Sequence, residues 1–597
     1  MGLNISNTGD TQIELGESGN MDNFYITDDY KLKKIYGYKS FYDFESPISG
    51  MYYTNLSGTE YLLVAASSKL YYFLKSELED PDAIDSIEPT LIGNIGNDDA
   101  SFFTFDNKVY ILSGKYQSWD GTTLEEVVGY TPLVFINTPP AGGGLIYDEI
   151  NMLNPQKHQT FNGDGTATTY HLAQNGQTTG IDIHSIDKVI VGEVELNSTD
   201  YTYDLHYGTV TFTTAPPQGM DNVDIYWTLN DGDRHIIEKM RFGTVFGGDV
   251  DTRVFLYGNP SCKNRTYFSG LADGVPSVEY FPATAQVDIG PANFSLTDLT
   301  RQYDRLLATT DRPEAYYLTI STETLSVTLV DNSTTSRYVP SVSTFPLNEV
   351  HGNLAPGQGQ LLNNYPVTLD RNALIMWKAT NVRDEKNMED ISQKIKLDLN
   401  ELNLKTFKTL DHQSANQLWF GADNRIYIYN YFNKTYSRLK IADSFINLES
   451  TGKNVYMGLD DGRIVKWGEE YPNFDGEIIR AHWEMNFSDF GVAYLRKTMN
   501  RLWVLMQPQT LSSADICFVS NRAESTVKKH VEYTMLLFDE VDFNNFSFKI
   551  SRNPQPFRLK MKAKKFTNLK ITIDNNEETD CTILQLVLKV ESFGESK

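Results

Sequence analysis

Nine His, three Cys and 78 Asp or Glu are the raw material from which this chain could build chemistry. The His residues are scattered. No HExxH pair is present, and no His/Cys group has metal-ligand spacing. There is no GxSxG elbow to activate a serine and no P-loop to cradle phosphate. A glycosidase pair of carboxylates stays open, because such a pair meets from distant loops. The Asp box of sialidase-type propellers, Ser-x-Asp-x-Gly-x-x-Trp, is approached by Gly458-Leu459-Asp460-Asp461-Gly462, which lacks the Ser and the correctly spaced Trp. Asp164 and the run Asp231 to Asp233 carry the oxygen ligands that Ca²⁺ takes, yet Asp and Gly in such loops also serve turns. The basic run Lys560-Met561-Lys562-Ala563-Lys564-Lys565 offers charge to nucleic acid. It also reads as an edge strand with a solvated Lys face, since Met561, Ala563 and Phe566 alternate with the lysines. No catalytic residue, cofactor-binding residue or metal ligand emerges, and the expectation is that the protein is not an enzyme.

The elements that would position such residues are recurring hairpins. Asp423-Asn424-Arg425-Ile426-Tyr427-Ile428-Tyr429 nearly repeats Asp106-Asn107-Lys108-Val109-Tyr110-Ile111. Ser67-Ser68-Lys69-Leu70-Tyr71-Tyr72 and Asp461-Gly462-Arg463-Ile464-Val465 are looser copies. Asp-Asn, Asp-Gly and Ser-Ser tolerate turn dihedrals, and β-branched and aromatic residues fit the pleated flanks. Lys69 and Lys108 lie about 39 positions apart and Arg425 and Arg463 about 38, close to the ~40–50 of a propeller blade. A β-propeller is the leading architecture; the alternative is that hairpin turns in any β-rich protein look alike.

At 597 residues, with 40% hydrophobic and 12% aromatic content, the chain is long enough for several folded domains. A formal net charge of −26 disfavours nucleic-acid affinity, which is built on Lys and Arg. It leaves room for a conduit through which DNA slides without sticking. Cys262, Cys517 and Cys581 are far apart, so neither a disulfide framework nor a zinc ribbon is expected, in keeping with assembly in a reducing cytoplasm. Met1-Gly2-Leu3-Asn4 does not open a basic-then-apolar secretory signal. No apolar run approaches the ~18–20 residues of a membrane helix, so no membrane anchor is expected.

Read along its length, the chain divides into an N-terminal arm (1–20) that orders against a neighbour, a first propeller part (21–144), an inserted small β-domain (145–232), a second propeller part (233–470) and a C-terminal β-sandwich (471–597). Pro139-Pro140-Ala141-Gly142-Gly143-Gly144 reads as the hinge into the insertion. Asn387 to Ile395 is the one plausible helix. The Gly/Asn-rich stretch Gly352 to Asn364 reads as an irregular loop able to move.

One block is more specific. Gly247-Gly248, Asp251-Thr252-Arg253-Val254-Phe255, Gly258-Asn259-Pro260, Asn264-Arg265-Thr266-Tyr267-Phe268-Ser269-Gly270-Leu271 and Ser277-Val278-Glu279-Tyr280-Phe281-Pro282, followed by Gln302-Tyr303-Asp304-Arg305-Leu306, resemble a block of phage virion proteins. The block is similar to that of tail nozzle (tail tubular protein B) proteins of short-tailed phages. The inserted domain resembles small β modules of phage structural proteins, through Thr160 to Gly165, Asp200 to Tyr203 and Thr213 to Pro217.

The resemblance implies a structural virion protein, assembled in the host bacterial cytoplasm. It would form a hexameric ring below the portal and its adaptor protein. The ring would conduct double-stranded DNA without specific binding, retain it until ejection, and anchor tail fibres or receptor-binding proteins. The alternative is a receptor- or glycan-binding propeller, a tail spike or adhesin. In a ring of such acidic copies the wall facing DNA is expected to be acidic or neutral, with Lys560 to Lys565 turned toward a protein neighbour.

Overall fold

The computed structural model describes residues 2–6, 16–81, 84–172, 180–247, 252–329, 332–378, 387–509, 511–521, 529–534, 554 and 556–595. The fold is all-β: a propeller, an inserted β-module and a C-terminal β-sandwich. Among the described residues, five four-stranded antiparallel sheets and two four-stranded stretches of a larger sheet make seven blades. Blade 1 is Ile48–Leu56, Thr59–Ala66, Lys69–Leu74 and Thr90–Asn94; blade 2 runs from Ser101–Phe105 to Leu124–Glu126. Blade 3 is Phe242–Phe246, Arg253–Tyr257, Arg265–Phe268 and Gln286–Asp288. Blade 4 is Leu296–Gln302, Arg305–Thr310, Ala315–Thr328 and Thr334–Asn348, and blade 5 runs from Gln360–Leu362 to Met388–Asp390. In blade 6, Gln417–Asn430 reverses at Asp423, where φ is 55°, so that its halves pair with Lys408–His412 and with 435–440. Blade 7 uses 445–450, Val455–Leu459 and Arg463–Trp467, and takes its fourth strand, Tyr38–Asp43, from near the N-terminus. The first strand of each blade packs against the first strand of the next, and blade 7 packs back onto blade 1. That closed ring of inner strands is what makes the seven blades a propeller.

The repeated turn phrase does its work at equivalent places in three blades. Lys69, Arg425 and Arg463 each open the third strand, after Ser67-Ser68, Asp423 and Gly462 with positive φ. Lys108 opens the second strand of blade 2 instead, so its distance from Lys69 is not a blade period. In blade 7 the cation also fastens the ring. The Arg463 guanidinium meets Asp461, Asp443 and Asp475 at 2.8, 2.7 and 2.6 Å, and Asp475 accepts the backbone N–H of Ser40 on the closing strand. Gly37 lets that strand enter: a Cβ there would stand 1.7 Å from the Asn473 carbonyl oxygen.

The inserted module is a six-stranded sheet against a three-stranded one, around Val134, Phe161, Tyr170, Val189, Phe212 and Trp227. Its limits differ from 145–232. Leu133–Thr138 is an inner strand of its sheet, parallel to Gln156–Gly163, and Pro139–Gly144 is the turn that follows it rather than an interdomain hinge. The chain then returns to blade 3 as a strap, 147–155, where Met152 and Leu153 enter the blade 2–3 core, before leaving again. Both crossings are narrow. The Asp148 N–H donates to Leu133 at 2.8 Å and the Leu229 N–H to Pro155 at 3.3 Å.

The sandwich is completed by the other end of the chain. One sheet pairs Glu17–Asp22 with Ala481–Met485, then Leu569–Asn575, Leu511–Ser520 and Lys529–Thr534. The other joins Phe24–Ile26 and Leu32–Lys34 to Thr582–Glu595 and Leu495–Met506. Residues 17–34 therefore belong to the sandwich, not to an arm and the first propeller part. Gly2–Leu3 pairs with Glu17–Asp22 inside the same subunit, with Leu3 fully buried; residues 7–15 of the expected arm lie outside the described residues. The sandwich core runs without a break into blades 5 and 6. Arg438 clamps the two bodies, bonding Asp22 at 2.6 Å and Asp398 at 2.8 Å.

Two further expectations change. The helix expected over 387–395 is the strand Met388–Asp390 followed by short helical turns, because the Asp390 carboxylate takes both the N–H and the O–H of Ser392 and bends the chain. The 352–364 stretch is anchored rather than loose. Asn353 is buried, donates to the Ala355 carbonyl and accepts from the Ala355 and Leu369 N–H groups, and Gln360–Leu362 opens blade 5. Among the described residues, no helix is long and apolar enough to cross a membrane.

Candidate functional site

The inner strands of blades 5, 6 and 7 line an open cavity of about 610 Å³ on the axial side of the propeller. Each strand turns polar groups to it: Gln360 from blade 5, Thr409, Asp411 and Ser414 from blade 6, Glu449 and Ser450 from blade 7. These groups are held in place by one another and by backbone. Gln360 Nε2 donates to Thr409 Oγ1 at 2.9 Å, which donates to the Gln358 carbonyl at 2.8 Å. Ser414 Oγ donates to the Gly452 carbonyl at 3.0 Å.

Burial dominates the electrostatics. Enclosure by protein pushes the Glu449 carboxyl up to about 7, against the backbone N–H groups of Ser450 and Tyr53 that favour its charge. Glu449 is half-buried in the cavity wall. The same desolvation raises Asp411 and lowers His412. A cavity of this size with a few convergent polar groups and two displaced carboxyls is the form a small-ligand site takes. Near neutrality Glu449 donates or accepts a proton, the property general acid–base chemistry uses.

None of the candidate ligands or lysines singled out from sequence lies in this cavity, although Gln360 and Leu361 of the 352–364 stretch line it. The Asp164 carboxylate closes its own turn, accepting the N–H groups of Thr166 and Ala167 at 2.7 and 2.6 Å. Asp231 pairs with Lys157, and Asp233 caps the helix Arg234–Glu238 by accepting the His235 N–H. Asp461 belongs to the Arg463 knot. Among the described residues, no group of three His, Cys, Asp or Glu is placed to hold a metal ion. In 560–565 the four lysines are exposed and Met561 and Ala563 buried, with Ala563–Phe566 pairing, among the described residues, only to Leu495–Met506, as an edge strand does. Cys581 is buried, and burial pushes its thiol up to about 12, away from reactivity. Of the nozzle-like block, Gly248 and Asp251 lie outside the described residues. The rest forms blade 3, its junction with the strap and, at Gln302 to Leu306, the first hairpin of blade 4. Buried Arg253 donates to the Ser269 carbonyl and to Thr322 Oγ1 on blade 4, both at 2.8 Å.

No family model and no curated protein matches the chain. Solved structures with overlapping architecture include BamB from Moraxella catarrhalis, 11% identical with a TM-score of 0.31, covering 70% of this chain and 94% of that one. The extracellular domain of a putative one-component system from B. thetaiotaomicron is 9% identical, TM-score 0.20, covering 94% and 98%. An exo-β-1,3-galactanase from Phanerochaete chrysosporium is 8% identical, TM-score 0.16, covering 83% and 97%. At such scores the likeness adds nothing to the ring closure described above.

Proposed function

We propose that the chain is a structural subunit of a phage virion tail, of the nozzle type. In this reading six copies form a ring around a DNA-conducting channel below portal and adaptor, and the ring anchors tail fibres or receptor-binding proteins. What supports the reading is the resemblance of the nozzle-like block, whose described residues form blade 3 and the first hairpin of blade 4, share their buried side chains between the blade 2–3 and blade 3–4 cores, and meet the strap at Pro282. The axial cavity is far too small for a duplex, so the DNA path runs between subunits and not through a propeller. A net charge of −26 per chain suits a wall that does not hold DNA, with the Lys560–Lys565 edge turned to a protein neighbour. Negative-stain imaging of the purified protein tests this directly: six-membered rings with an open pore are expected, and a uniform population of monomers or trimers contradicts it.

The axial cavity favours a second reading, a ligand-binding propeller. Calorimetric titration with host surface polysaccharide, repeated on Glu449→Gln, separates the two. Binding by the parent that the variant loses supports the second reading.

A further inference from the structure

A smaller cavity, about 80 Å³, lies where the strap, blade 3 and the blade 4 hairpin converge. It is covered by a two-stranded flap, Leu271–Ala272 against Val275–Pro276, whose tip Asp273-Gly274 takes left-handed φ values of 49° and 80°. The Tyr130 hydroxyl stands 3.1 Å from Asp273 Oδ1 on the flap and 3.3 Å from Asp148 Oδ2 on the strap. A phenol has one proton to donate. With both carboxyls ionised, one of them faces the phenol oxygen without a hydrogen between them, and two like charges share one small cluster. A proton on Asp148 removes the conflict. Asp148 then donates to the Tyr130 oxygen, Tyr130 donates to Asp273, and an unbroken donor chain links strap to flap.

The surrounding groups do not supply a substitute for that proton. Arg337 of the hairpin stands 3.6 Å from Glu149 Oε1, and Thr284 donates to the other Glu149 oxygen. Tyr280 exchanges hydrogen bonds with the Glu149 backbone at 2.9 and 3.1 Å. Arg253, at the back of the cavity, is held by Ser269 and Thr322.

We propose that Tyr130, Asp148 and Asp273 form a proton-operated latch that holds the 271–276 flap closed over this cavity in mild acid and releases it near neutrality. Burial is the largest influence on Asp148 and, with the Asp273 charge, lifts its carboxyl to about 6, against the Tyr130 hydrogen bond, the Leu133 N–H and the charge of Arg337. Because the folded value lies above the ordinary 3.8, the stabilisation is full below that value and is lost as pH rises through about 6.

Hydrogen–deuterium exchange of the full-length protein between pH 5 and 7.5, corrected for intrinsic rate, tests the latch on peptides spanning the flap. Protection is expected to fall about tenfold, the change one unit of proton coupling gives, with its midpoint near 6. Asp148→Asn, whose amide donates at every pH, should keep the flap protected throughout. Asp273→Asn removes the like charge and should move the midpoint down toward the ordinary carboxylate range. If Asp148→Asn fails to fold, Asp273→Asn decides alone. Equal protection of the parent at both pH values overturns the proposal, as does an unmoved midpoint in Asp273→Asn.

Discussion

The sandwich and the inserted module are both small β-bodies attached to the same propeller, and they are attached in opposite ways. The sandwich is threaded: strands from residues 17–34 complete its two sheets, and the next strand, Tyr38–Asp43, closes blade 7. Its core continues into blades 5 and 6, with Arg438 tying the parts together. The inserted module has a core of its own and touches the propeller through the strap. Propeller and sandwich should therefore unfold as one unit, and the module as another.

One cavity made in each body separates the two modes of attachment. Phe24 and Phe161 are both fully buried, the first in the shared core and the second in the module core. Truncating either to Ala should cost about 3–5 kcal/mol. Calorimetry should show Phe24→Ala lowering the major transition of propeller and sandwich together, while Phe161→Ala lowers a separate, smaller transition. A common shift for both variants would mean that the module is not autonomous.

A smaller effect comes from the axial cavity. Glu449 is raised from 4.5 to about 7, so its burial as a neutral acid stabilises the propeller fully below 4.5 and less as pH rises through 7. The melting temperature of the major transition should fall between pH 5 and 8, and Glu449→Gln should flatten that fall while leaving the module transition unmoved. An unchanged pH slope in the variant would place the titration elsewhere.

What the sequence revealed follows from how local each signal is. The turns at Ser67, Asp423 and Asp461 are local, and each marks a true blade hairpin. The propeller limit read at 470 falls just past Trp467, the last residue of the third strand of blade 7. The pairing of Asp22 with Arg438 and His482 joins residues more than 400 positions apart, and nothing near Asp22 announces it. The Pro-Gly run at 139–144 shows the converse failure: its turn chemistry was legible, but a turn between strands of one sheet and a hinge between domains use the same residues. Asp411 and Glu449 sit at ordinary strand ends in separate blades, so only ring closure brings them to one cavity. The partners of Tyr130 are equally hidden, one on the strap and one on a flap.

A threaded propeller–sandwich carrying one separable module should survive a double excision that keeps the strap from Asp148 to Pro155. Residues 134–147 and 156–228 are each replaced by a short Gly/Ser linker, since Leu133 already meets Asp148, and Pro155 meets Leu229, through a hydrogen bond. Calorimetry of the product should show the major transition within a few degrees of the parent, in keeping with a loss of under about 1 kcal/mol, and no minor transition. Aggregated protein, or a major transition lowered as far as in Phe24→Ala, would contradict it.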